Sequence, residues 1–141
     1  MGLILADVGA DCFLKARFNN TWPSDKNLYL KLYTNNITLT DALTAASFTI
    51  ATGGGYADKT LTCGSWTITP ANDPSDAVYA IQTFTFTGAL STNPTIYGYI
   101  VVDGDGVYQW GEALDAPYTP ASNGDVLNIT PKFQMSKGTP T

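Results

Sequence analysis

The sequence predicts an all-β protein, a single β-sandwich of Greek-key or jelly-roll type, with one short helix at its front. Three observations carry this. Six or seven stretches alternate apolar and polar residues and are separated by turn-rich segments. Threonine is the commonest residue, and many threonines fall inside the alternating runs. Only one stretch, Ala6–Phe18, spaces its apolar residues by three and four. The 141 residues suit one domain. It divides into an N-terminal arm and helix (1–19), a β-sandwich (20–135) and a C-terminal tail (136–141).

In the helix, Ala10, Phe13, Leu14, Arg17 and Phe18 form the repeating stripe. Asp7 or Asp11 is placed to cap its start, and Gly9 weakens it. The stripe is expected to lid the sheet, or else the N-terminal segment docks on a neighbour. Gly2–Leu5 precedes it as an extended arm. Asn19–Asn27 is a turn region containing Trp22-Pro23 and Ser24-Asp25.

Leu28–Thr34 is a half-buried strand. Leu28, Leu30 and Leu32 share one face, and Tyr29, Lys31 and Tyr33 share the other. In Asn35–Gly55, Phe48 and Ile50 form a short strand or anchor a loop. Gly53-Gly54-Gly55 lacks the lysine and the strand–helix setting of a phosphate loop and reads as a turn. Thr60–Thr69 is the next strand, with a bulge expected at Gly64. Pro70–Asp76 is a loop. Tyr79–Thr87 is a strand carrying Phe84 and Phe86 on one face. Asp115–Gly124 is a loop, and Asp125–Met135 is a strand at a sheet edge or broken at Pro131.

The strongest local signal is Thr95–Glu112, two β-rich runs around Asp103-Gly104-Asp105-Gly106. With Asp103 paired to Gly106, Val102 faces Val107, Tyr99 faces Trp110 and Gly98 faces Gly111. Tyr97, Tyr99, Val101, Tyr108 and Trp110 then line one face, and Ile96, Ile100, Val102 and Val107 the other. A hairpin apolar on both faces needs cover on both. The Asp-Gly tip reads as a turn. It lacks the further oxygen ligands and distal glutamate of a calcium loop.

Composition excludes several functions. The net charge is −5 and no basic patch exists, which argues against nucleic-acid binding. No run is long enough for a membrane span. Gly2–Leu5 is too short for an export signal and has no basic flank. With no histidine, Ser–His and Cys–His nucleophiles are impossible within the chain. Glu112 is the only glutamate, and the aspartates sit mostly in turns. No catalytic, cofactor-binding or metal site is predicted. Cys12 and Cys63 make no metal or redox pattern and are expected to be reduced and buried.

Charged residues make up 13%, about half the usual share of roughly 25%. A surface so weakly charged favours assembly. The aromatic residues exceed what one core obviously needs. They stack sugars, fill a subunit interface, or pack the domain itself. The candidate interface set is Tyr29, Tyr33, Tyr97, Tyr99, Tyr108 and Trp110, with Leu3, Leu5 and Phe13 from the N-terminal segment.

A series of motifs resembles a family of small structural proteins of tailed bacteriophages. They are N-L-Y-L-K-L-Y-T-N-N-I-T (Asn27–Thr38), G-G-G-Y-A-D-K-T-L-T (Gly53–Thr62), W-T-I-T-P (Trp66–Pro70), Q-T-F-T-F-T-G (Gln82–Gly88), T-I-Y-G-Y-I-V-V-D (Thr95–Asp103) and G-D-V-L-N-I-T-P-K-F (Gly124–Phe133). The resemblance implies a non-enzymatic virion component, foremost a capsid decoration or cement protein. Its partner would be the major capsid protein, and it would form a homo-trimer between capsomers. The alternative is a tail or fibre protein with a host-glycan surface.

Overall fold

The computed structural model describes residues 4–69, 75–91 and 93–135. The protein is mainly β, with one α-helix and ten strands among the described residues. In chain order these are β1 (Ile4–Leu5), α1 (Asp7–Asn19), β2 (Leu28–Tyr33), β3 (Lys59–Leu61), β4 (Thr67–Thr69), β5 (Ser75–Val78), β6 (Gln82–Thr85), β7 (Ile96–Val102), β8 (Tyr108–Tyr118), β9 (Val126–Ile129) and β10 (Lys132–Met135). A five-stranded sheet runs β1-β8-β7-β2-β3, a three-stranded sheet β10-β5-β4, and β6 pairs with β9. The pairings are antiparallel.

Two predicted strands are each divided between sheets. Thr60–Thr69 is not one bulged strand. Gly64, at φ 87°, turns the chain from β3 to β4. Asp125–Met135 breaks at Pro131, which has no N–H for a ladder, so β9 and β10 enter different sheets. The strand expected at Tyr79–Thr87 is shorter, β6 alone, and β5 begins at Ser75, within the stretch expected to be a loop. The loop expected from Asp115 begins later, because β8 continues to Tyr118.

The hairpin β7–β8 is the centre of the large sheet, but its register differs from the expected one. Tyr99 lies opposite Glu112, Gly98 opposite Ala113 and Val101 opposite Trp110. Two causes combine. The Asp103 N–H bonds Val107 O at 3.0 Å and the Gly106 N–H bonds Asp103 O at 3.0 Å. Gly106, at φ 80°, thus closes a three-residue loop in place of the expected two. Gln109 is then an extra residue between the Val102–Tyr108 and Val101–Trp110 pairs. Tyr108 therefore changes sides and joins Ile100 and Val102, while Trp110 stays with Tyr99 and Val101. A second shift near Gly98 moves Ile96 to the Tyr99 side and Tyr97 to the other.

Both faces of the hairpin are covered by the chain itself. On one face Leu30, Leu32, Tyr99, Val101 and Trp110 pack with Phe84, Phe86 and Ile129 from the β6–β9 region. Trp66, Tyr79 and Phe133 from the three-stranded sheet flank that core. On the other face Tyr33, Ile100, Val102 and Tyr108 pack with Ala6, Leu39 and Phe48. Phe48 anchors the long 34–50 segment, setting its ring 5.2 Å from Tyr33 and 5.0 Å from Tyr108. The Gly53–Gly55 run is a turn with φ of 75°, 56° and 76°.

Candidate functional site

Among the described residues, four large exposed apolar side chains, Phe13, Leu14, Phe18 and Trp22, gather on α1 and just after it. The path of the chain explains why. Ile4 and Leu5 add a short edge strand beside Gly111 and Trp110. The Ala6 N–H then bonds Gln109 O at 2.9 Å and the Asp7 N–H bonds Asp41 O at 2.9 Å, fixing where the helix begins. Neither Asp7 nor Asp11 caps it; the N-cap is Ala6, with no side-chain cap. Gly9 lies directly on β8, where an added Cβ would stand 2.5 Å from Gln109 O. Ala16 is the other buried helical residue. Asn20, at φ 54°, ends the helix in the left-handed conformation.

The side by which α1 docks is therefore its small-residue side. The stripe Ala10, Phe13, Leu14, Arg17, Phe18 does not lid the sheet. Phe13 and Leu14 are 53% exposed and Phe18 77%. Trp22, in the following turn, is 53% exposed, with Lys26 Nζ 5.5 Å from its ring centre.

Beyond the contact at Gly9, helix and sheets enclose a groove of about 700 Å³. Phe13, Trp22, Trp66, Trp110, Phe133 and Met135 are among the residues that line it, so it is largely apolar. Cys12 and Cys63 also line it as free thiols. They are less enclosed than expected: Cys12 is half-buried and Cys63 exposed. Burial pushes the Cys12 thiol up, and the nearby Asp103 charge adds to this.

Asp103, at the groove's inner end, is buried and engaged. Its Oδ1 accepts from the N–H groups of Asp105 (3.0 Å) and Val107 (2.9 Å), and its Oδ2 from Gln109 Nε2 (3.1 Å). Asp105 Oδ1 accepts from the Ser24 hydroxyl at 2.6 Å. The Asp-Gly tip thus uses its carboxylates to hold a turn and to tie it to residues 24–25. Among the described residues no group of three or more Cys, Asp or Glu side chains is placed to hold a metal.

The sequence-predicted interface residues fall into three groups. Tyr33, Tyr99, Tyr108 and Trp110 are buried inside this chain, with Trp110 at the wall of the groove. This corrects the expectation for those four, and its cause is the self-supplied cover on both hairpin faces. Tyr33 and Tyr108 have unpartnered hydroxyls, and burial pushes both up to about 12. Tyr99 gives its hydroxyl hydrogen to Glu112 at 2.8 Å, and burial followed by that carboxylate raises it too. Tyr29 and Tyr97 are half-buried, and the Tyr29 hydroxyl donates to Asp25. Leu5 and Phe13 are exposed and line the groove. Leu3 lies outside the described residues.

Leu14 and Phe18, exposed on α1, and Trp22, Phe133 and Met135, which line the groove, were not in the predicted set. A signal for the first two was present. Gly9 and Ala16, seven apart, mark a helix side that approaches a neighbour closely, so larger residues must lie elsewhere.

Comparison of the chain with protein-family models, with curated proteins and with solved structures gives no match. Among the described residues no helix is long and apolar enough to cross a membrane.

Proposed function

We propose that this chain is a non-enzymatic structural subunit of a larger protein assembly, and that the assembly is a tailed-phage virion. The observation that carries the first part is the outward apolar face of α1. Phe13, Leu14, Phe18 and Trp22 stand at least half exposed beside an apolar groove. With about half of each side chain left to bury, covering one is worth about 1–1.5 kcal/mol, so the face gains from a protein partner. The second part rests on the strand motifs that resemble phage structural proteins.

Within a virion the reading is a capsid decoration protein bound to the major capsid protein at the head surface. Its action is mechanical. A subunit that binds only the assembled shell stabilises that state by mass action. Low charge supports close packing with neutral neighbours. The packing of the large sheet against the β6–β9 pair and the three-stranded sheet is read as sandwich layering.

The test is an electron-microscopy map of particles from cells that make the chain. Density for it at regular sites on the head supports the reading. Particles free of the chain, or density at the tail tip alone, refute the decoration role.

A further inference from the structure

The outward face of α1 has a pattern that identifies what covers it. Asp7, Ala10, Leu14 and Arg17 follow the three-four-three spacing of a helix–helix seam. Asp7, Leu14 and Arg17 are exposed and Ala10 is half-buried, so the seam is open to a partner. Phe13 and Phe18 flank it and add exposed apolar surface.

The four positions are also symmetric about residue 12. Asp7 and Arg17 each lie five residues from it, and Ala10 and Leu14 each lie two. We infer that two copies of this chain pair through α1, antiparallel, about a twofold axis at the level of Cys12. In that arrangement Asp7 of each copy meets Arg17 of the other. Leu14 of each copy packs over Ala10 of the other, a large side chain against a small one. The contact is isologous, so both halves form together.

The charges select this geometry. Asp11 is already engaged within the helix, 2.6 Å from Lys15 Nζ. Asp7 and Arg17 have no ion-pair partner among the described residues. Parallel helices about a threefold would set Asp7 beside Asp7 and Arg17 beside Arg17. The helix contact therefore makes a dimer, and a trimer would require another surface. The pairing is a property of the chain alone and does not depend on the virion reading.

The test is sedimentation of the full-length chain over a range of concentrations, with two single variants, Asp7→Lys and Arg17→Glu. The wild type is expected to show a concentration-dependent dimer. Each variant alone sets like charges against each other at both ends and should dimerise about tenfold more weakly or worse. Mixed together, the two variants are complementary at both ends, so a heterodimer should form with about wild-type affinity. Circular dichroism and melting of each variant check the fold. A wild type that stays monomeric overturns the inference. So do single variants that dimerise like the wild type, or a mixture that stays monomeric.

Discussion

Gly9 of α1 rests on the backbone of Gln109, with room for a hydrogen and nothing larger. A Cβ there would stand 2.5 Å from the Gln109 carbonyl oxygen and 2.6 Å from its Cα. This contact turns the small side of the helix to the sheet and leaves Leu14 and Phe18 outward. Two effects oppose each other in Gly9→Ala. Alanine favours the helix by about 1 kcal/mol. Overpacking against backbone, which has no flexible end to move, costs about 1–3 kcal/mol. The clash should win. Denaturant unfolding is expected to show a net loss of up to about 2 kcal/mol. Hydrogen exchange should be faster in α1 than in β7 and β8.

The same logic separates Phe18 from the core. Phe18 is 77% exposed. Phe18→Ser should change the stability of the isolated chain by about 0.5 kcal/mol or less, as for other surface positions. Phe48→Ala, by contrast, removes a ring packed on Tyr33 and Tyr108 and should cost about 3–5 kcal/mol. Melting of the two variants, measured dilute, checks the contrast.

Tyr33 and Gly98 form a second matched pair. An added Cβ at Gly98 would lie 2.4 Å from the Tyr33 hydroxyl oxygen and 2.4 Å from Glu112 O. The Tyr33 hydroxyl is buried with no hydrogen-bond partner. Removing an unsatisfied buried polar group is neutral or favourable. Tyr33→Phe should therefore leave the melting temperature unchanged or raise it. Gly98→Ala should lower it sharply, because the second contact is with backbone.

Stability should fall at both extremes of pH. Tyr33 and Tyr108 are pushed up to about 12 by burial, against about 10 in an unfolded chain. Folding favours their protonated form, so this stability is complete below about pH 10 and is lost as pH rises towards 12. At the acid end, Asp25 is held low by the Tyr29 hydroxyl and then by the Asn27 N–H. Asp76 is held low by the Gln134 amide and then by Lys132, and Asp125 by the N–H groups of Ala121 and Ser122. Their contribution is present above about pH 4 and is lost as pH falls through the lowered values. A plot of melting temperature against pH should be flat from about pH 4 to about pH 8.5, above which the raised Cys12 thiol begins the alkaline loss. Tyrosinate absorbance should rise together with loss of structure at the alkaline end.

The β-rich class, the single helix and the central hairpin were legible in the sequence because each depends on local spacing. The Leu28–Tyr33 alternation and the Asp-Gly tip are fixed by residues within a few positions of one another. What was not legible depends on distant residues. Gln109 becomes an extra residue only because Asp103 accepts from Val107 and Asp105 in a particular loop. The division of strands at Gly64 and Pro131 reflects competition between sheets for the same segments. The helix stripe misled for a related reason. Its three-and-four spacing identifies an apolar side, but only the Gly9 contact with Gln109 decides whether that side faces the sheet or the solvent.

The central claim is that a second copy of this chain covers the outward face of α1. Hydroxyl-radical footprinting of the full-length chain, dilute and concentrated, tests it most directly. Phe13, Leu14 and Phe18 should react when dilute and become protected on concentration. Ile68 and Ile81, exposed but outside the groove, should react equally in both. Equal labelling of Phe13, Leu14 and Phe18 at every concentration would contradict the account.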